Sequence, residues 1–87
     1  MAEKPQRLDL AASAYRDMCE RRKEALCAYM RREKLTQRNI ADRLGCSRPA
    51  IGHWVRGIRY IDSLRWAYML KWLPGLKTLW VRHYAKK

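Results

Sequence analysis

The stretch Thr36–Gly57, TQRNIADRLGCSRPAIGHWVRG, reads as two short helices joined by a tight turn. A helical run ends at Leu44, and Gly45 follows it as the residue best able to take the left-handed conformation that closes a helix. Ser47 restarts the chain. Its hydroxyl can accept from a free amide of the next turn, and Pro49 stands in that first turn, where a missing N–H costs little. Arg48 is the weak point, because a residue before proline is pushed away from helical angles. At the start of the stretch Thr36 is placed to cap the first helix, with Gln37 at its opening position.

The two helices have distinct faces. Ile40, Ala41 and Leu44 make one apolar stripe, and Arg38, Asn39, Asp42 and Arg43 lie on the other side. In the second helix, at about 100° per residue, Arg48, Pro49, Gly52, His53 and Arg56 share one arc of roughly 140°, with Ala50, Ile51 and Trp54 opposite. One face is therefore predicted to pack on Ile40, Ala41 and Leu44 while the other is presented outward. Gly52 is expected at the middle of that open face, where the lack of a side chain lets the helix backbone approach a ligand closely.

On these residues the stretch resembles the helix-turn-helix of the phage Cro and repressor (XRE-like) family. Gln37, Ala41, Gly45, Ser47, Ile51 and Trp54 match its pattern without a gap. Upstream, Leu26, Tyr29 and the run Leu35, Thr36, Gln37 are similar to the family's first helix and the start of its second. The likeness covers about residues 24–72. It implies a DNA-binding unit whose second helix enters the major groove, with the residue at Gln37 bonding a phosphate and bracing that helix. It also implies that the loop after the second helix, through Arg59 and Tyr60, reaches the DNA backbone; Tyr60 serves equally well as a core aromatic. A helix-turn-helix of this shape also occurs as a plain packing unit in proteins that bind no nucleic acid.

Charge supports a polyanionic partner. The net charge is +12, and residues 1–33 hold 8 basic and 6 acidic residues against 12 and 2 in residues 34–87. Only Asp42 and Asp62 interrupt the second part, so the excess sits with the two-helix stretch and the C-terminal segment after it. The length, 87 residues, predicts a single domain over 1–87 with a small core, close to marginal stability unless it oligomerises. Cys19, Cys27 and Cys46 show no metal-ligand spacing, and on one helix Cys19 and Cys27 would be about 12 Å apart, too far for a disulfide. Reduced thiols and a cytoplasmic setting, cytosol or nucleoid, are expected. Cys46 is expected to fill a small slot in the turn. No signal peptide and no membrane span is predicted.

The flanks supply helices. Residues 1–7 are expected to be a disordered lead from which Lys4 and Arg7 could touch DNA. From Leu8 to Lys34 apolar residues recur at helical spacing, broken at Arg22, which predicts one long helix or two with a bend near Glu20–Lys23, capped at Asp9. Arg16 with Glu20 and Asp17 with Arg21 are spaced as ion pairs. Asp62 or Ser63 is predicted to cap a further helix that is apolar around most of its circumference and so buried on several sides. Pro74 and Gly75 end it. A last amphipathic helix comes next, and because the chain offers more apolar surface than one small core can hide, Trp72, Leu76, Leu79, Trp80 and Tyr84 are assigned to a homodimer contact. The competing arrangement folds that helix back on the first helix of the same chain.

The expected architecture is thus all-α: a compact bundle of about five helices containing a helix-turn-helix over 36–57, an extended N-terminal helix, and packing or dimerisation helices over 62–87. The resemblance makes the chain a Cro-like transcription regulator, binding double-stranded DNA as a homodimer on an inverted repeat. Phosphate contacts would come from Gln37, Arg38, Arg43, Ser47, Arg56, Arg59 and Tyr60, and base contacts from Arg48, Pro49, Gly52 and His53. A second reading is an antitoxin or adaptor that binds DNA and holds a protein partner through the aromatic C-terminal helix. RNA binding or a membrane-surface role is a third, although the cap chemistry at Gly45 and Ser47 argues against a purely amphipathic segment. Catalytic residues, metal ligands and cofactors are not expected: the acids are scattered, no Gly-rich phosphate loop is present, and neither His53 nor His83 has a nucleophile or carboxylate beside it.

Overall fold

In the computed structural model, which describes residues 7–84 and side chains from residue 12 onward, five helices follow one another: α1 (Arg7–Glu33), α2 (Gln37–Leu44), α3 (Arg48–Val55), α4 (Ser63–Trp72) and α5 (Leu76–His83). The fold is all-α, and among the described residues no strand occurs. No helix among them is long and apolar enough to cross a membrane. The expected lead lies outside the described residues except for Arg7, which opens α1.

Local chemistry places the helix ends where the sequence puts them. Thr36 caps α2 by accepting from the Asn39 amide at 3.1 Å, while Asn39 Oδ1 accepts from the Thr36 amide at 2.9 Å, so two otherwise free donors are satisfied reciprocally. Gly45 closes α2 with φ 68°, and Ser47 Oγ accepts from the Ala50 amide at 3.3 Å to start α3. Asp62 caps α4, accepting from the Arg65 amide at 2.8 Å. This bond holds the Asp62 carboxyl below its ordinary pKa. Its contribution is therefore present above the unfolded carboxylate pKa and is lost as pH falls through the lower folded value. Asp62→Ala should cost about 1 kcal/mol at neutral pH. That difference should shrink toward zero on acidification below about pH 3.9, as read from urea melts of both proteins.

The core gathers one face from every helix: Leu26 and Tyr29 of α1, Ile40 and Leu44 of α2, Ile51 and Trp54 of α3, Met69 of α4, and Leu76 of α5, with Ile61 from the connecting loop. α2 packs on α3 as its stripe predicts, and α1 lies across α3 and α5. Cys46 is half-buried against this core. Cys27 and Cys46 are free, and burial pushes both thiols up in pKa.

Three expectations about the flanks need correction. First, α1 is one continuous helix through Glu20–Lys23, the first of the two expected arrangements, but Asp9 lies inside it rather than at its cap. Arg22, which interrupts the apolar stripe, is buried because Nη1 donates to the Ile61 carbonyl at 2.7 Å and Nη2 to Ser63 Oγ at 3.3 Å. Nearby, Glu20 pairs with Lys23 at 3.0 Å instead of with Arg16. Second, α4 is buried along one side only, through Trp66 and Met69, and Leu73 just after it. Leu64, Tyr68 and Trp72 remain exposed. Third, Leu76 and Leu79 belong to this chain's own core and cannot form the homodimer contact assigned to them. The reason is the reversal at Pro74–Gly75, where Gly75 takes φ 90° and the Tyr29 hydroxyl donates to the Pro74 carbonyl at 2.8 Å, drawing α5 back against α1. Trp80 meets Trp66 edge-on at 5.0 Å and stacks on Tyr84, so those two aromatics are also engaged within the chain. Trp72 alone of the five stands largely in solvent.

Candidate nucleic-acid interface

The site is the outward face of α3 and the two clefts beside it. Ile51, at 0% exposure, and Trp54 anchor the inward face against α2. The Ser47 cap fixes where the helix begins. Arg48 and Pro49 consequently stand exposed at its first turn, with His53 half-buried one turn later.

On one side, Thr36, Gln37, Arg38 and Arg48 line a cleft, bringing an arginine of α2 beside the leading arginine of α3. On the other, an open groove of about 440 Å³ runs between α3, the following loop and the start of α4, bordered by Ser47, Pro49, His53, Arg59, Tyr60 and Arg65 among others. The loop is held to the end of α3: the amides of Ile58 and Arg59 donate to the His53 carbonyl at 2.9 and 3.3 Å. Tyr60 is exposed, with its ring edge-on to Tyr15 at 6.0 Å, so it is a surface aromatic and not part of the core.

Gly52 does not lie on the open face. It is buried, and a Cβ built there would stand 2.8 Å from Arg56 Nη2 and 3.2 Å from Gln37 Oε1. Arg56 folds back along the helix, its Nε donating to the Gly52 carbonyl at 3.1 Å, and Gln37 reaches across from α2. Gly52 thus makes room for these two side chains and offers no close approach to the α3 backbone. Both clashing atoms are ends of flexible side chains, so Gly52→Ala should leave the fold intact and gain up to about 1 kcal/mol of helix propensity. It should also displace the Arg56 guanidinium. A raised melting temperature is the expected result.

Arg43 is separated from the rest. It is exposed, lines neither cleft, and lies close enough to Tyr29 to oppose the rise in that phenol's pKa that burial causes. Arg65, conversely, is not among the contacts expected from the sequence. Its place three residues after the Asp62 cap carries it into the groove, where it pairs with Asp62 Oδ2 at 2.6 Å. The cap at Asp62 was the available signal for this placement.

Chemically, the assembled face is a set of hydrogen-bond donors and fixed positive charges. Asp62 is the carboxylate in the groove, and its pairing with Arg65 occupies it. Among the described residues no group of three His, Cys, Asp or Glu side chains comes together. Such a face suits an extended polyanion with acceptor groups. No protein-family model, curated protein or solved structure matches the chain, so no relative supplies a role for these residues.

Proposed function

We propose that the chain is a sequence-specific double-stranded DNA-binding transcription regulator in which α3 enters the major groove. The observation that carries this reading is the capped, anchored α3, whose first turn presents Arg48 and Pro49 outward between two arginine-bearing clefts. An eight-residue helix is about 12 Å long, a length a major groove accommodates. Gln37, Arg38 and Arg56 on one side, and Ser47, Arg59, Tyr60 and Arg65 on the other, hold the two phosphate backbones. Arg43 is left out of this set by its position beside Tyr29.

Arg48 and His53 read base edges, and Pro49 meets a thymine methyl. Arginine bonds best to guanine O6 and N7, so each half-site carries a G·C pair opposite Arg48. With Leu76 and Leu79 committed to the core, two copies occupy an inverted repeat because the DNA holds them, with half-sites about 34 Å apart. Regulation then comes from occupying the promoter.

Two variants separate the roles. Arg48→Ala should cost roughly 1–3 kcal/mol of discrimination at a single base pair, whereas Arg38→Ala should weaken binding evenly across sequences and lower the salt slope by about 1. Fluorescence anisotropy titrations over a series of salt concentrations measure both. Full selectivity in Arg48→Ala, or binding with no salt dependence, contradicts the proposal.

A further inference from the structure

The outward face of α4 is the least explained surface of the molecule. Leu64, Tyr68 and Trp72 follow one another at four-residue spacing, 79%, 48% and 50% exposed, and so form one stripe along the helix. Ala67 is exposed on the same helix, and the charged neighbours are Arg65 and Lys71 on opposite flanks of the stripe. Beside the stripe lies an apolar cavity of about 180 Å³, between the α2–α3 turn and α4, lined by Leu44, Cys46, Trp54, Tyr68, Met69 and, at its charged wall, Arg65. The Tyr68 hydroxyl donates to the Leu44 carbonyl at 3.2 Å and steadies this wall.

Size and charge together decide what fits. The cavity is smaller than the roughly 300 Å³ at which small-molecule sites begin, but close to the about 150 Å³ that holds a single benzene-sized apolar group. It therefore suits one side chain of a partner. A flat lipid surface or a phosphate backbone would leave this apolar cavity empty.

The exposed parts of the three side chains amount to on the order of 350 Å². Two such faces together fall short of the roughly 1,200 Å² of a stable specific interface, so apolar burial alone does not settle the partner and electrostatics does. Residues 63–87 contain six basic residues and no acidic one. A second copy would add like charge to this basic segment, whereas an acidic partner would meet Lys71 with opposite charge and could share Arg65, which is paired with Asp62 at 2.6 Å.

We propose that the α4 stripe and its adjoining cavity are the docking site for an amphipathic helix of another protein, one with an apolar or aromatic anchor for the cavity and an acidic flank. The site adjoins the groove beside α3 and shares Arg65 with it, but the stripe of Leu64, Tyr68 and Trp72 lies outside that groove, so the proposal does not rest on the DNA-binding reading.

The test is selection from a displayed library of random helical peptides against the whole chain. Recovered peptides should carry apolar residues three or four apart beside an excess of aspartate and glutamate. Their affinity should fall roughly tenfold or more on Leu64→Glu and on Trp72→Ala. It should change by less than about threefold on Lys77→Glu, which alters charge more but lies on α5. Leu64 is mostly exposed, so unchanged thermal melting of Leu64→Glu is expected; Trp72→Ala provides the second reading at the same stripe. Peptides that bind Leu64→Glu and Trp72→Ala as well as the unmodified chain, or that show no acidic excess, overturn the proposal. So does a light-scattering mass of twice 10.4 kDa that Leu64→Glu halves, which would assign the face to a second copy. Binding to phosphatidylserine vesicles that Leu64→Glu abolishes would assign it to lipid and equally overturn the proposal.

Discussion

Replacing Tyr29 with alanine lowers the unfolding free energy by about 3–5 kcal/mol, the range for deleting a buried aromatic side chain. Tyr29 is 1% exposed and lies on α1, which packs against α5. Its ring fills the core, and its hydroxyl donates to the Pro74 carbonyl at 2.8 Å, fixing the reversal that returns α5 to α1. A domain of this length has roughly 5–10 kcal/mol in total, so the substitution removes a large part of it. Tyr29→Phe keeps the ring and removes the hydrogen bond, and should cost only about 1 kcal/mol. Urea denaturation of the three proteins checks the ordering. Equal losses for alanine and phenylalanine would mean that the Pro74 contact, and not ring burial, holds α5 in place.

Arg22→Ala should destabilise by about 2–4 kcal/mol, because it removes charge-assisted bonds from a buried site. The Ile61 carbonyl would lose its 2.7 Å guanidinium donor and keep only the weak Cys19 thiol at 3.7 Å. An unsatisfied buried acceptor costs more than the bond itself contributes in net terms. The damage should be local as well as global. Ile61 ends the loop that carries Arg59 and Tyr60, so faster amide exchange in residues 58–61 should accompany the loss of stability. Arg22→Lys offers one donor in place of a fork and should recover part of the deficit. Denaturation melts with and without hydrogen-exchange readout separate the two effects; a loss below about 0.5 kcal/mol would contradict the structural role given to Arg22.

The features legible in the sequence were those whose chemistry acts over a few residues. Thr36, Gly45, Ser47 and Asp62 each satisfy or release backbone groups next to themselves, so their types mark the helix ends without knowledge of the rest of the fold. Apolar spacing likewise gave the inward faces of α2 and α3. Periodicity names a face, however, and not its cover. Leu76 and Leu79 had the right spacing for either a partner or the chain's own α1, and the turn at Pro74–Gly75 decided between them.

Gly52 departs from its expected place for a related reason. Its angle on α3 is as the periodicity gives it, but long side chains from Arg56 and Gln37 fold across that angle, and a helical wheel contains no rotamers. Arg22 looks like an interruption because its acceptor, Ile61, lies 39 positions away in sequence. α4 presents the converse case. An all-round apolar helix implies cover on more than one side. The described residues cover only the side carrying Trp66 and Met69.

Whether α3 reads duplex sequence is decided by selecting bound duplexes from a random library at about 0.15 M salt, where non-specific electrostatic binding is weakened. An inverted repeat should emerge with half-sites about one helical turn apart and a G·C pair in each, at the position where Arg48→Ala relaxes the consensus. Retention of DNA without any consensus, or only at low salt, would contradict sequence reading by α3 and reduce the charge of this face to a generic attraction for polyanions.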